Sequence, residues 1–323
     1  MSNSLRSTVS AAALAVALGG AAPAMAQTAL LADVSIEGPI QGFQAATSGD
    51  VAPNGQPIVG VMTVMGATIK VPANAAIHTP TNGSLTWTQF TTGAFPGRGE
   101  PGFLGGTAIV TGDSQGGVIY AADVFSDMHE HVVVGEATSA VVDGPATRAT
   151  VNNIPLVPLD DARMPAGRPI NGFGFEVNPS QITAGTLVSV EGYIAGGRLN
   201  YHTFEADGAA LTSRDTAEVS ILRASCRYRG GNRNEMEVRG GTKNPAGGQV
   251  TIQYSYGNNA WTSVTPNVTS VADTTVTPQQ GLYRYVTSSL TFPTGMRVCP
   301  GQVRAVFTAA PAVTSDVVTP ESR

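Results

Sequence analysis

The run Asp127-Met-His-Glu-His131 holds two of the chain's four histidines and is its only dense cluster of metal-ligating residue types. In an extended strand, side chains two residues apart project to the same side, so Asp127, His129 and His131 would face one way. Two imidazoles at that spacing, completed by a carboxylate or water, suit Zn²⁺ or Cu²⁺. The scaffold does not demand them, because Asn54-Gly-Gln56, the corresponding place in an internal repeat described below, offers no ligand. The preferred reading is therefore a solvated surface pair with no cofactor. A metal-binding protein or metalloenzyme centred on His129 and His131 is the alternative.

Other chemistry is sparse. Asp160, Asp161 and Arg163 read as a solvated turn. No G-x-S-x-G nucleophile elbow, P-loop, H-E-x-x-H zinc motif or c-type haem motif is expected. Trp87, Trp261, Tyr254, Tyr256, Tyr283 and Tyr285 could form a platform for sugars, but their alternating positions favour core packing. Arg223, Arg227 and Arg229 share one face of a strand, with Arg233 at the adjoining turn. An anionic partner such as a polysaccharide would suit that face, with Glu235 and Glu237 neutralising part of it. Cys226 and Cys299, the only cysteines, both have inward parity on their strands, which points to a disulfide in an oxidising compartment.

The elements that must position these residues read as strands. Val, Thr and Ile are plentiful, glycine (38) and proline (21) punctuate the chain, and only 13% of residues are charged, so short strands and tight turns are expected throughout. Gly106-Thr107 through Gly112 to Gly116-Gly117 is echoed by Gly185-Thr186 through Gly192 to Gly196-Gly197, with one residue inserted. Ile58-Val-Gly60 is likewise matched by Val133-Val-Gly135. The paired glycines suit two-residue hairpin turns. Each copy offers about five strands, a number that suits a small closed barrel. Beyond a polar linker, Ile221 to Arg229 alternates well and opens a third unit with regular turn spacing, suggesting a sandwich.

The opening of the chain sets the compartment. Arg6, an apolar stretch from Ala11 to Ala22, and Ala24-Met-Ala26 form the pattern of a cleaved secretory signal. No later run approaches the ~18 apolar residues of a membrane span. Residues 27–216 hold seven basic against 17 acidic side chains, whereas 217–311 hold nine against four. The chain is thus an acidic part followed by a basic one, and export argues against nucleic acid as a partner.

Ile58-Val-Gly60 with Ala67-Thr-Ile-Lys-Val71, and Val133-Val-Gly135 through Asn153-Ile-Pro-Leu-Val157 to Gly192-Tyr193, resemble a family of uncharacterised exported bacterial β-domains with a small OB-like barrel. Val219-Ser-Ile-Leu-Arg223, Glu235-Met-Glu-Val-Arg239 and Gly281-Leu-Tyr-Arg-Tyr285 are similar to bacterial Ig-like modules. Neither resemblance implies an activity.

The expected organisation is all-β. A signal peptide (1–26) precedes two tandem OB-like barrels (31–125 and 126–208). A linker (209–216), an Ig-like sandwich carrying the disulfide (217–311) and a flexible tail (312–323) follow. The expected function is structural or binding and non-enzymatic, in the periplasm or outside the cell, toward a polysaccharide, an envelope protein or the chain itself.

Overall fold

The computed structural model describes residues 32–140, 149–208, 211, 216–229, 231–243, 248–257, 260–274, 279–293, 299–308 and 312–322. The expected signal segment, and most of the expected linker at 209–216, lie outside the described residues. Among the described residues no helix is long and apolar enough to cross a membrane.

The first group of strands is β1 (Ala32–Ala45), β2 (Ile58–Val64), β3 (Ala67–Pro72), β4 (Ala76–His78), β5 (Thr107–Gln115) and β6 (Val118–Asp127). They pair in the order β3-β2-β1-β5-β6-β4. A parallel contact of β3 with β6, Ile69 opposite Ile119, brings the ends together into a nearly closed barrel. Period-2 alternation builds its core: Ile58, Gly60, Met62 and Val64 of β2 point inward, and their neighbours are more exposed. The helix α1 (Trp87–Thr91) starts at a capping box between Thr86 and Gln89 and buries Phe90. Phe90 stacks on Phe103 at 5.0 Å, and Phe103 meets Phe95 edge-on.

The second group repeats this pairing scheme. It comprises β7 (His131–Glu136), β8 (Ala149–Val151), β9 (Ile154–Pro158), β10 (Ile170–Asn171), β11 (Leu187–Ala195) and β12 (Arg198–Ala206). The order is β7-β11-β12-β9-β8, with a bridge from Ala137 to Val151. β9 runs parallel to β12 as β3 does to β6, and β10 runs parallel to β12 as β4 does to β6. Gly116-Gly117 and Gly196-Gly197 occupy corresponding hairpins, all four at positive φ. The two groups share apolar core, since Leu159, Met164 and Tyr193 pack among the aromatics of the first.

The third group is β13 (Glu218–Val219), β14 (Arg223–Arg227), β15 (Asn234–Lys243), β16 (Gly248–Ser255), β17 (Thr262–Ser263), β18 (Val268–Asp273), β19 (Gln280–Leu290), β20 (Gln302–Phe307), β21 (Val313–Thr314) and β22 (Glu321–Ser322). They pair in the order β21-β20-β16-β18-β19-β15-β14-β22, with β13 on β15 and β17 on β16. Val238, Tyr283, Ile252, Val303 and Phe307 from both halves of this ladder form one core. Cys226 and Cys299 are disulfide-bonded across it, with Cα atoms 5.9 Å apart. The tail departs from the expectation of fraying. Val313–Thr314 pairs with β20, and Glu321 and Ser322 pair with β14, so the tail supplies sheet edges rather than hanging free.

Candidate functional site

Asp127, His129 and His131 do not lie on one strand. β6 ends at Asp127, His129 adopts φ +75°, and β7 begins at His131. The left-handed residue breaks the alternation that would have aligned the three side chains. The two imidazoles instead stack, with centroids 5.4 Å apart and planes 8° from parallel. His131 Nδ1 accepts from the Ile194 N–H at 3.0 Å. Burial, then the charges of Arg98 and His131, lower the pKa of His129. Asp127 turns inward and accepts from the Met128 N–H at 2.6 Å. Among the described residues no three His, Cys, Asp or Glu side chains are arranged to hold a metal ion.

Asp127 faces His202, a residue that sequence reasoning left without a role. In the β11–β12 ladder the register shifts by one: Glu191 opposes Thr203, and Gly192 opposes Tyr201. His202 is the extra residue of this β-bulge, and a bulge re-aims its side chain. The β5–β6 ladder carries the same shift, with Thr111 opposite Asp123 and Gly112 opposite Ala121, so Ala122 is the extra residue there. Both bulges require glycine. A Cβ on Gly112 would lie 2.1 Å from the Tyr120 carbonyl oxygen, and one on Gly192 would lie 2.1 Å from that of Asn200.

Both bulged faces turn toward β14, at its opposite ends, and a cleft forms at each. At the Arg223 end the cleft has a volume of about 570 Å³, and four carboxylates, Asp127, Glu130, Glu191 and Glu321, line it against two arginines, Arg168 and Arg223. His202 is only 1% exposed, and its Nε2 lies 3.4 Å from Asp127 Oδ1 without forming a hydrogen bond. Its Nδ1 contacts Thr203 Oγ1 at 2.9 Å. Arg223 pairs with Glu321 at 2.8 Å. Burial, reinforced by the charges of Asp127, Glu130 and Glu321, raises the pKa of Glu191. Burial followed by Asp127 does the same to Glu130. Burial alone would lower His202, but its contact with Asp127 and the charges of Glu191 and Glu130 outweigh that and raise it.

At the other end of β14, Arg227, Arg229 and Arg233 line a cleft of about 310 Å³ against Ser35, Thr111 and Asp113 of the first group. The four arginines expected on one face are therefore divided. Arg223 belongs to the acidic cleft and the other three to the basic one. Arg229 pairs with Glu235 at 2.9 Å, and Arg233 donates to the Arg229 carbonyl at 3.2 Å. Among the described residues Arg227 has no carboxylate partner.

The turn at Asp160 is not merely solvated. Asp161 accepts two hydrogen bonds from the Arg163 guanidinium, at 2.9 and 2.7 Å. Arg163 also donates to the Thr92 and Gly93 carbonyls at 2.7 and 2.8 Å and covers the Phe95 ring at 3.8 Å. It thereby latches the second group to the first. Gly112-Asp-Ser-Gln-Gly116 has the spelling of a hydrolase nucleophile elbow, a match that sequence reading passed over. It lies in β5 and its hairpin turn, without the strand-to-helix turn that exposes such a serine. Tyr254, Tyr283 and Tyr285 are buried in the third core, so these tyrosines do not form a platform.

No protein-family model matches the chain, and no curated protein or solved structure shows significant similarity to it.

Proposed function

We propose that this is an exported, non-enzymatic binding protein of the periplasm or cell exterior that takes a segment of an anionic polysaccharide in the arginine-lined cleft. The observation that carries this reading is the convergence of Arg227, Arg229 and Arg233 on one concave surface bordered by hydroxyl-bearing Ser35 and Thr111. Guanidinium forks bind carboxylate and sulfate groups bidentately, and hydroxyls suit a polyol. The order of strand pairing in the first two groups, with a parallel closing pair, supports OB-like barrels of the resembled exported family. The third group's antiparallel halves and disulfide support an Ig-like module. The N-terminal pattern supports export, with Gln27 as the mature N-terminus. The metal-centred alternative has less support, because the His129 and His131 rings stack on each other and Asp127 faces His202.

The test uses residues 27–323 on an array of anionic and neutral glycans. Binding to anionic chains should weaken as salt rises, since exposed charges are screened over ~8 Å at physiological ionic strength. The double variant R227S/R229S should lose most of it while its unfolding transition stays in place. Equal binding by wild type and variant would refute the reading. Mass spectrometry of the exported protein should find Gln27 first, and an intact Met1 leader would refute processing.

A further inference from the structure

We propose that the acidic cleft is a second binding site, selective for an organic ammonium group such as that of a diamine or an amino sugar. This inference is independent of the arginine-lined cleft, and its ligand has the opposite charge. Three strand systems build the site. Asp127 comes from the end of β6, with Glu130 three residues on; Glu191 and His202 come from the β11–β12 bulge, and Glu321 from β22. Charge in the cleft is unbalanced. Arg223 is already committed to Glu321, and the Arg168 that also lines the cleft is engaged with Glu176. Asp127, Glu130 and Glu191 are left to share one imidazole.

That imidazole supplies the independent sign of a ligand. His202 is 99% buried by its 1% exposure, lines the cleft, and its Nε2 has no hydrogen-bond partner. Buried polar atoms in folded proteins are nearly always paired, so an orphan of this kind calls for an explanation. His202 Nδ1 contacts Thr203 Oγ1 at 2.9 Å; in the tautomer that donates there, Nε2 is an acceptor facing a second acceptor, Asp127 Oδ1, at 3.4 Å. A donor placed against both would satisfy them together. An ammonium has three N–H donors and a positive charge, and so answers both the orphan atom and the surplus carboxylates.

A metal ion answers them less well. Its ligands must converge at about 2.0–2.6 Å on one point, and no such group of side chains occurs among the described residues. The cleft, at about 570 Å³, has room for an organic body, and Ile221 and Leu222 offer it an apolar wall. The bulge itself does not require this chemistry. The first copy builds the same bulge with Ala122 in place of His202, and with Thr111 in place of Glu191.

Isothermal titration of residues 27–323 with putrescine and with glucosamine decides the matter, with butanediol and N-acetylglucosamine as uncharged counterparts. Saturable single-site binding of either amine, with none for the uncharged counterparts, is expected. Whichever amine binds identifies the source. Glu191→Gln should weaken binding at least about tenfold. Glu130→Gln, at the exposed rim, should weaken it too and serves if the Glu191 variant does not fold. R227S/R229S should bind the amine unchanged, so failure of this site and failure of the anionic site are read separately. Three results would overturn the proposal: no saturable binding of either amine, equal binding by wild type and both glutamine variants, or tight binding of Ca²⁺ or Zn²⁺ that the amines do not displace.

Discussion

Replacing Arg163 by alanine should cost the folded protein about 4 kcal/mol. Its side chain is 12% exposed, so its contacts are made largely out of water. Two hydrogen bonds from a charged donor to the Thr92 and Gly93 carbonyls contribute about 1.5–3 kcal/mol each where no replacement partner is available. The guanidinium over Phe95 adds about 1 kcal/mol. Partial entry of water and relaxation of the loop offset some of this sum. Removing the cation also leaves Asp161, itself only 14% exposed, without its partner, as in a broken buried pair. Asp161 adds a signature in pH. Burial alone would raise its pKa, but hydrogen bonds and charge from Arg163 outweigh that and hold it below the usual carboxylate value. A depressed folded pKa stabilises above the unfolded value of about 4, and that contribution is lost as pH falls through the folded pKa. The difference between wild type and Arg163→Ala should therefore be largest near neutrality and shrink below about pH 4. Urea unfolding followed by the fluorescence of Trp87 and Trp261 measures it. A loss under about 1 kcal/mol at neutral pH, or a difference that grows on acidification, would refute the latch.

Three further outcomes are expected. The double variant C226S/C299S should lose about 4 kcal/mol, because the disulfide closes a loop with a sequence separation of 73, and denatured unreduced wild type should show no free thiol. Gly112→Ala and Gly192→Ala should each cost more than about 2 kcal/mol in urea unfolding, since the added methyl meets a carbonyl oxygen that only backbone movement can relieve. Gly99→Ala, with nothing within 4 Å of the new Cβ, should change stability by under about 0.5 kcal/mol, and a similar loss at all three positions would refute the bulge argument.

Much of the architecture was legible because its signals are local. Alternation with period two marked Ala224 and Cys226 of β14 as inward, although Ser225 between them is buried as well, and paired glycines marked the hairpins at 116–117 and 196–197. Inward parity at both cysteines, in a chain read as exported, sufficed to pair them. The tail was misread because its short segments bury little by themselves and form strands only against β20 and β14.

The candidate sites were less legible, for two geometric reasons. A strand advances about 3.3 Å per residue, so Arg223 and Arg227 stand ~13 Å apart on β14 and line different clefts, although they share a face. A one-residue register shift reverses which side a residue faces, and nothing in the local pattern around His202 announces that it is the bulged residue. Sequence alone determined the alternating strands and the paired-glycine turns, because each depends on neighbours a few residues away, while the repeat and the cysteine pair were legible from residue identity and strand parity. Which carboxylates surround His202, and which arginines converge, was decided only by the tertiary structure. Asp127, the hairpin that carries Glu191 and His202, and Glu321 are far apart in the chain, and pairing register and packing between sheets are what bring them together.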